Sequence, residues 1–349
     1  MNQSKRMYSM DLMRCFSLAG ILLYHFMVEF QIHYQTNLFI EKMPYYTPNM
    51  HIATLCVGLF FMLSGAGLTL SSRESFQVKT FYRRRFLRLM VPYYLAYLFY
   101  LLYLLIRYGT LPFSGDIPHW NFLLTLIGMD GYCEIHQTIP TFYIGIGEWF
   151  LGALIIMYLL FPLLHYLMKK NRYATMTAAT ICYLILVFTY QSELPSYENA
   201  LIKLYDFILG MFLILEKDRL KKWTLCYSIP VILSALFLKK EIPLPTDLKI
   251  SLLCTAVFFL FLQTERWLKK RILLQKFLFL LQKYSFEIYL LHHVIIVQFL
   301  AGFAGKISST ADILLLLIEI LAVTWICSWI LYQAEHFLYR KLGRTAQRH

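Results

Sequence analysis

Charge is what this chain has least of. Only 15% of its 349 residues are Asp, Glu, Lys or Arg, against about 25% in an ordinary soluble domain. That deficit excludes a soluble globular protein of this length. Hydrophobic residues make up 59% and aromatics 17%, with a mean hydropathy of +0.55, so lipid is the solvent for most of the surface. Acidic residues are scarcest, 20 against 33 Lys and Arg, giving a net charge of +13. The basic residues lie between apolar runs rather than on one polar domain, which excludes nucleic acid as a partner and points to loops facing anionic lipid. Paired cysteines are also missing. The seven cysteines at 15, 56, 133, 182, 226, 254 and 327 show no disulfide or metal-type spacing, and all but Cys133 fall in apolar segments as small core residues. Cys133-x-x-His136 lacks a partner pair, so no metal is expected. There is no internal repeat, low-complexity linker or appended soluble domain, and residues 1–349 read as a single polytopic domain. Nor is there a cleavable signal. Arg14 interrupts the first apolar run after Lys5 and Arg6, and no small-residue cleavage site follows, so the first span is expected to be retained.

What is present is a series of apolar runs long enough to cross a bilayer, which takes about 20 residues. Ten are expected, at about 12–31, 50–70, 89–106, 147–168, 174–190, 200–216, 223–238, 247–264, 284–302 and 312–333. The fold class is therefore an all-α integral membrane protein. A weaker run at 122–129 is too short to cross and reads as re-entrant or interfacial. Most of the Lys and Arg fall on alternate connections, as in Arg83-Arg84-Arg85, Lys169-Lys170, Lys221-Lys222 and Lys269-Lys270-Arg271. Lys42, Arg107, Lys203, Lys239, Lys240, Lys249 and Lys306 fall on or near the other side. The positive-inside rule then puts both termini in the cytoplasm, with the plasma membrane as the expected location. On the outer face lie loops at about 31–49 and 107–146. The second is rich in turn and aromatic residues (Pro112, Gly115, Pro118, His119, Trp120, Pro140), as functional loops often are.

The first span carries Asp11, Arg14, His25 and Glu29. Ionisable groups inside a spanning helix are costly and usually face a protein interior or a wet cavity. Arg14 and His25 are eleven residues apart, which puts them on nearly one helix face, roughly 16 Å apart along the axis. Asp11 and Glu29 extend the same stripe by one turn at each end. A neutral imidazole can take a proton from a hydroxyl, and Glu29, at i+4, is in reach to hold the His25 tautomer. Arg85 and Arg88 stand one turn apart at the start of the third span, where a guanidinium fork suits the phosphates of a nucleotide-bearing donor or the headgroups of lipid. Gly58, Ser64, Gly65 and Gly67 permit close packing in the second span, or leave room for a thin acyl arm. Glu148, beside Trp149, reads either as a substrate-side carboxylate or as an interfacial charge. Ser285, Glu287, Tyr289, His292 and His293 give the ninth span a polar lining.

Together these stretches resemble the acyltransferase-3 family of integral membrane O-acyltransferases, over most of the chain and in the family's order. The resemblance rests on Asp11-x-x-Arg14 with His25, Phe60-Phe-x-x-Ser64-Gly65, Arg85-x-x-Arg88 before Pro92, Trp149-Phe-Leu with Pro162, and Ser285-x-x-Ile-Tyr289-Leu-Leu-His292. It implies transfer of an acyl group, usually acetyl from cytoplasmic acetyl-CoA, to a hydroxyl of an extracytoplasmic or lipid-linked carbohydrate. His25 would be the catalytic base, with Arg14 and Glu29 beside it. Arg85, Arg88 and Ser64 would serve the donor, and Glu148, Trp149 and His292 the acceptor. Direct transfer and an acyl-histidine relay are both open. Relatives that modify large glycans carry a glutamate five residues after the tryptophan, and here that place is Leu154. The rival class is an exporter of polysaccharide or lipid-linked sugar, with a midplane proton relay. Ten spans suit it, but the absence of a repeat does not.

Overall fold

A computed structural model describes residues 6–34, 46–72, 76–111, 113, 117–137, 139–192, 194–303 and 309–341. Lys5, Lys42, Arg73, Lys306, Arg344 and Arg348, with Pro112, Gly115 and most of the 31–49 loop, lie outside the described residues. In chain order the helices are α1 (Tyr8–Tyr34), α2 (Ile52–Ser71), α3 (Val78–Tyr108), α4 (Phe122–Leu126), α5 (Asp130–Ile135), α6 (Glu148–Thr189), α7 (Ala200–Leu220), α8 (Thr224–Phe237), α9 (Thr246–Gln263), α10 (Glu265–Leu268), α11 (Ile272–Lys283), α12 (Ser285–Gly302) and α13 (Thr310–Lys341). A minimal antiparallel pair, β1 (Tyr46–Thr47) and β2 (Met50–His51), precedes α2. The all-helical expectation holds.

Among the described residues, seven helical stretches are long and apolar enough to cross a membrane, against ten runs expected from the sequence. The three others have local reasons. The run at 174–190 is the second arm of α6, set off from the first by the non-helical backbone of Asn171 (φ −158°, ψ 95°). The run at 200–216 is α7, diluted by Lys203, Asp206 and Glu216. The run at 223–238 is α8, only 14 residues long. The charges in α7 are locked inside the protein. Lys203 Nζ lies 3.1 Å from Asp247 and 3.6 Å from Asp206, all three fully buried, and Ser251 Oγ donates to Asp206 at 2.6 Å. Paired this way, buried charges can sit among apolar helices.

Contacts between helix ends define two faces. At one, Ser9 N–H donates to Glu265, Arg14 to Gln282, and the Tyr339 hydroxyl to the Leu87 carbonyl. At the other, the Tyr34 hydroxyl reaches Leu300 and the Tyr108 hydroxyl reaches Gln298. The described ends Tyr8 and Lys341 thus lie at the same face.

The stretch before α6 does not stay outside. Tyr93, in the middle of α3, donates to Asp130 Oδ1 at 2.9 Å, and Tyr97 donates to the Phe142 carbonyl at 2.7 Å. The short α4 and α5 and the extended residues up to Gly147 therefore pack against mid-helix. The weak apolar run at 122–129 falls in this dipping segment. Its last turn needs Gly147 in the left-handed region (φ +81°) as the N-cap of α6. Burial raises the Asp130 carboxyl above its ordinary range, against the hydrogen bonds it accepts from the Tyr93 hydroxyl and the Gly131 N–H.

The tightest crossing joins α2 and α7. A Cβ on Gly65 would stand 2.1 Å from the Phe207 carbonyl oxygen, and one on Gly210 2.1 Å from that of Met62. Small residues that let backbones meet are the usual device for packing helices in lipid. Gly65→Ala is expected to destabilise the protein by ~2 kcal/mol or more, through overpacking against backbone that cannot yield. Thermal unfolding in detergent checks this against Gly302→Ala, where the added methyl meets nothing within 4 Å. Equal midpoints for the two variants would contradict the crossing.

Candidate active site

The polar stripe of α1 opens onto a cavity of about 1990 Å³. Arg14, Leu18, Ile21 and His25 line it at three- and four-residue spacing, as one helix face should. From α2 come Val57, Phe60 and Ser64, and from α12 Ser285, Tyr289 and His293. The cavity runs from Arg6, Arg14, Arg85 and Arg88, at the face where α1 begins, to His51, Glu134 and Glu198, at the face where α1 ends.

At mid-length, three helices bring ionisable groups together. His25 Nε2 of α1 lies 3.6 Å from Glu148 Oε2, on the first residue of α6. The other oxygen, Glu148 Oε1, lies 2.7 Å from His293 Nδ1 of α12, and His293 Nε2 is 3.1 Å from Glu29 Oε1. Glu29 Oε2 in turn is 3.7 Å from His33 Nδ1. Carboxylates and imidazoles alternate along this chain. With a carboxylate against each ring nitrogen, His293 is suited to carry two protons and to cancel one of the two negative charges. The remaining carboxylate, Glu148, stands ready to stabilise a proton gained by His25. The amino end of α6 also favours negative charge at Glu148.

Glu148 can reach His25 only because α6 begins inside the bundle. A Cβ on Gly131 of α5 would lie 2.9 Å from the Glu148 carbonyl carbon, so α5 sits flush on this first turn. Tyr143, in the same dipping stretch, lines the cavity, and burial followed by the nearby carboxylates of Glu148, Asp130 and Glu134 pushes its phenol well above the usual value. It remains a hydrogen-bond donor at neutral pH.

The residues singled out from the sequence distribute as follows. Arg14, His25, Ser64, Arg85, Arg88, Glu148 and Trp149 all line the cavity. Arg14 also donates to Asp11 at 3.5 Å and Gln282 at 3.1 Å, and Arg85 lies over the Phe81 and Tyr158 rings, 5.8 Å from each centroid. Two placements differ from the expectation. Glu29 is directed to His293 and His33 rather than to His25, whose carboxylate neighbour is Glu148. His292 is fully buried behind the wall, its Nδ1 held by the Tyr289 carbonyl at 2.8 Å, and the cavity-facing imidazole is His293. The four-residue spacing Ser285, Tyr289, His293 was the signal in the sequence, since it marks one helix face and leaves His292 off it. Leu154, where large-glycan relatives have glutamate, lines the cavity as an apolar residue.

Among the described residues, His25, Glu148 and His292 bring one ligand-type atom each within 4.8 Å of one another. Within this group His25 Nε2 and Glu148 Oε2 are 3.6 Å apart, and the other Glu148 oxygen lies 2.7 Å from His293 Nδ1.

Seven candidate spans among the described residues, around a cavity lined by a histidine–carboxylate centre and by arginines, point to a multi-pass membrane protein. The model of the acyltransferase-3 family, described as an acyltransferase domain, matches residues 7–332, and the chain belongs to that family. No curated protein and no solved structure gives a significant match.

Gly131→Ala must push back the start of α6 and with it Glu148. A displacement near 1 Å at a reacting group can cost ~10²-fold in rate, so acyl transfer is expected to fall by at least tenfold at unchanged protein level. Turnover equal to that of Gly302→Ala would contradict the positioning.

Proposed function

We propose that the protein is a membrane O-acyltransferase that moves an acyl group, most simply acetyl from acetyl-CoA, to a hydroxyl of an extracytoplasmic or lipid-linked carbohydrate. The observation that carries this reading is the single cavity joining Arg14, Arg85 and Arg88 to His25 and Glu148. Both termini and the arginine mouth face the cytoplasm, in agreement with the positive-inside asymmetry of the sequence. Acyl-CoA docks there, its phosphates against the guanidinium groups of Arg85 and Arg88, which bind phosphate oxygens in a fork. The pantetheine arm then runs along the α1 and α2 faces, past Ser64, toward His25.

The acceptor hydroxyl enters from the opposite mouth. His25 takes its proton as the oxygen attacks the thioester carbonyl. The C–S bond of the tetrahedral intermediate breaks, and the departing thiolate receives the proton from His25, so hydroxyl and thioester become ester and thiol with no net proton change. Glu148 stabilises the transient imidazolium, and His293 with Glu29 holds Glu148 in register. Trp149 and Tyr143 border the space in which the acceptor lies.

General-base assistance is worth ~10²–10⁴ in rate. His25→Ala, at equal membrane level, is expected to lose at least ~10²-fold in acetyl transfer to cell-surface glycan, followed by mass analysis. Normal acylation would end the proposal. The double variant Arg85→Ala/Arg88→Ala is expected to raise KM for acetyl-CoA at least tenfold with a smaller change in kcat, measured by thiol release from the purified protein. An unchanged KM would remove the arginines from donor binding.

A further inference from the structure

The two ends of the cavity differ in charge, and this difference bears on the acceptor, given the acyl-transfer reading above. The inner end is lined by Arg6, Arg14, Arg85, Arg88, Lys217 and Lys269. The opposite end is lined by Tyr24, His51, Glu134, Tyr143, Tyr197 and Glu198, and among the described residues that half contributes no Lys or Arg to the lining. Two buried cations toward that face are paired with carboxylates. Lys203 is sealed between Asp206 and Asp247, and Lys249 pairs with Glu241 at 2.7 Å.

The polar groups at this end are those that read hydroxyls. Glu134 Oε2 accepts from the Thr141 hydroxyl at 2.9 Å. Burial raises the Glu198 carboxyl and keeps His51 neutral by lowering its pKa. The Tyr132 hydroxyl accepts from the Ala200 N–H at 3.2 Å, tying α5, which carries Glu134, to the start of α7 just after Glu198. Glu134 and Glu198 therefore stand on one braced rim. The aromatic rings give stacking faces, and the carboxyl groups and phenols accept or donate to hydroxyls. A carboxylate or phosphate brought here would find like charge and, among the described lining residues of this end, no Lys or Arg, which is the repulsive element that specificity requires.

We propose that the acceptor sugar at this mouth is uncharged, and that Glu134 and Glu198 exclude sugars carrying a carboxylate or phosphate on the residue that is acylated.

The test is direct binding to the purified protein in nanodiscs, by quenching of tryptophan fluorescence. The probes are methyl glucoside, galactoside and mannoside, each against its matched C6 uronic acid. The best neutral glycoside is expected to bind at least tenfold more tightly than its uronic acid, and in Glu134→Gln/Glu198→Gln the gap is expected to shrink below threefold. Equal or tighter binding of the uronic acids, a gap unchanged in the double variant, or no binding of any neutral glycoside would each overturn the proposal. Thiol release from acetyl-CoA by the same preparation reports on the acyl-transfer reading independently. If it is present while uronic acids bind best, only the acceptor assignment fails. If it is absent, the enzymatic reading itself fails.

Discussion

The contact on which the site depends is that of Glu148 with two imidazoles, His25 on one side and His293 on the other. It joins α1, α6 and α12, three helices distant in sequence, inside the helix bundle. A carboxylate there persists only if it is paired or wet. Here it is both, since His293 balances it and the cavity reaches it. The same arrangement that makes the charge tolerable makes it useful, because the unshared part of its field falls on His25.

The rest of the fold can be understood as what is needed to hold that contact. A helix crossing the bilayer from edge to edge would put its first residue at an interface. The chain instead folds the segment before α6 into the bundle, fixes it to α3 through Tyr93 and Tyr97, and lets α6 begin at the level of His25. The glycines at 131 and 147 are the steric conditions of this entry, one for close approach and one for a left-handed turn. The close crossing of α2 and α7 and the sealed Lys203 cluster stiffen the opposite wall. The cavity is lined by arginines and lysines at one end and by Glu134 and Glu198 at the other.

Much of this was legible in the sequence because helical spacing is a strong constraint. Arg14 and His25 must share a face if α1 is a helix, and they do share the cavity. The arginine pair and Ser64 likewise fall where their spacing puts them. Tertiary pairing was not legible. Glu29 is one turn from His25, yet its carboxylate is drawn to a histidine 264 residues away, and local proximity could not reveal that competitor. His292 and His293 differ by one residue, hence by about 100° of helix rotation, and only the spacing from Ser285 and Tyr289 tells which faces inward. The depth of Glu148 was hidden because a dipping segment has no periodic signature. The kink at Asn171 and the pairing that lets α7 keep its charges inside the protein leave no mark in the apolar runs.

Acyl transfer by this site requires the donor and the His25–Glu148 pair to meet in one space. The most direct measurement is a cryo-EM structure of the protein in nanodiscs with a non-transferable thioether analogue of acetyl-CoA. The expected density places the phosphates beside Arg85 and Arg88, the arm along the α1 and α2 faces, and the acyl carbon within contact of the His25 ring with Glu148 still beside it. Density for the analogue outside this cavity, or an acyl group ending far from His25, would contradict it.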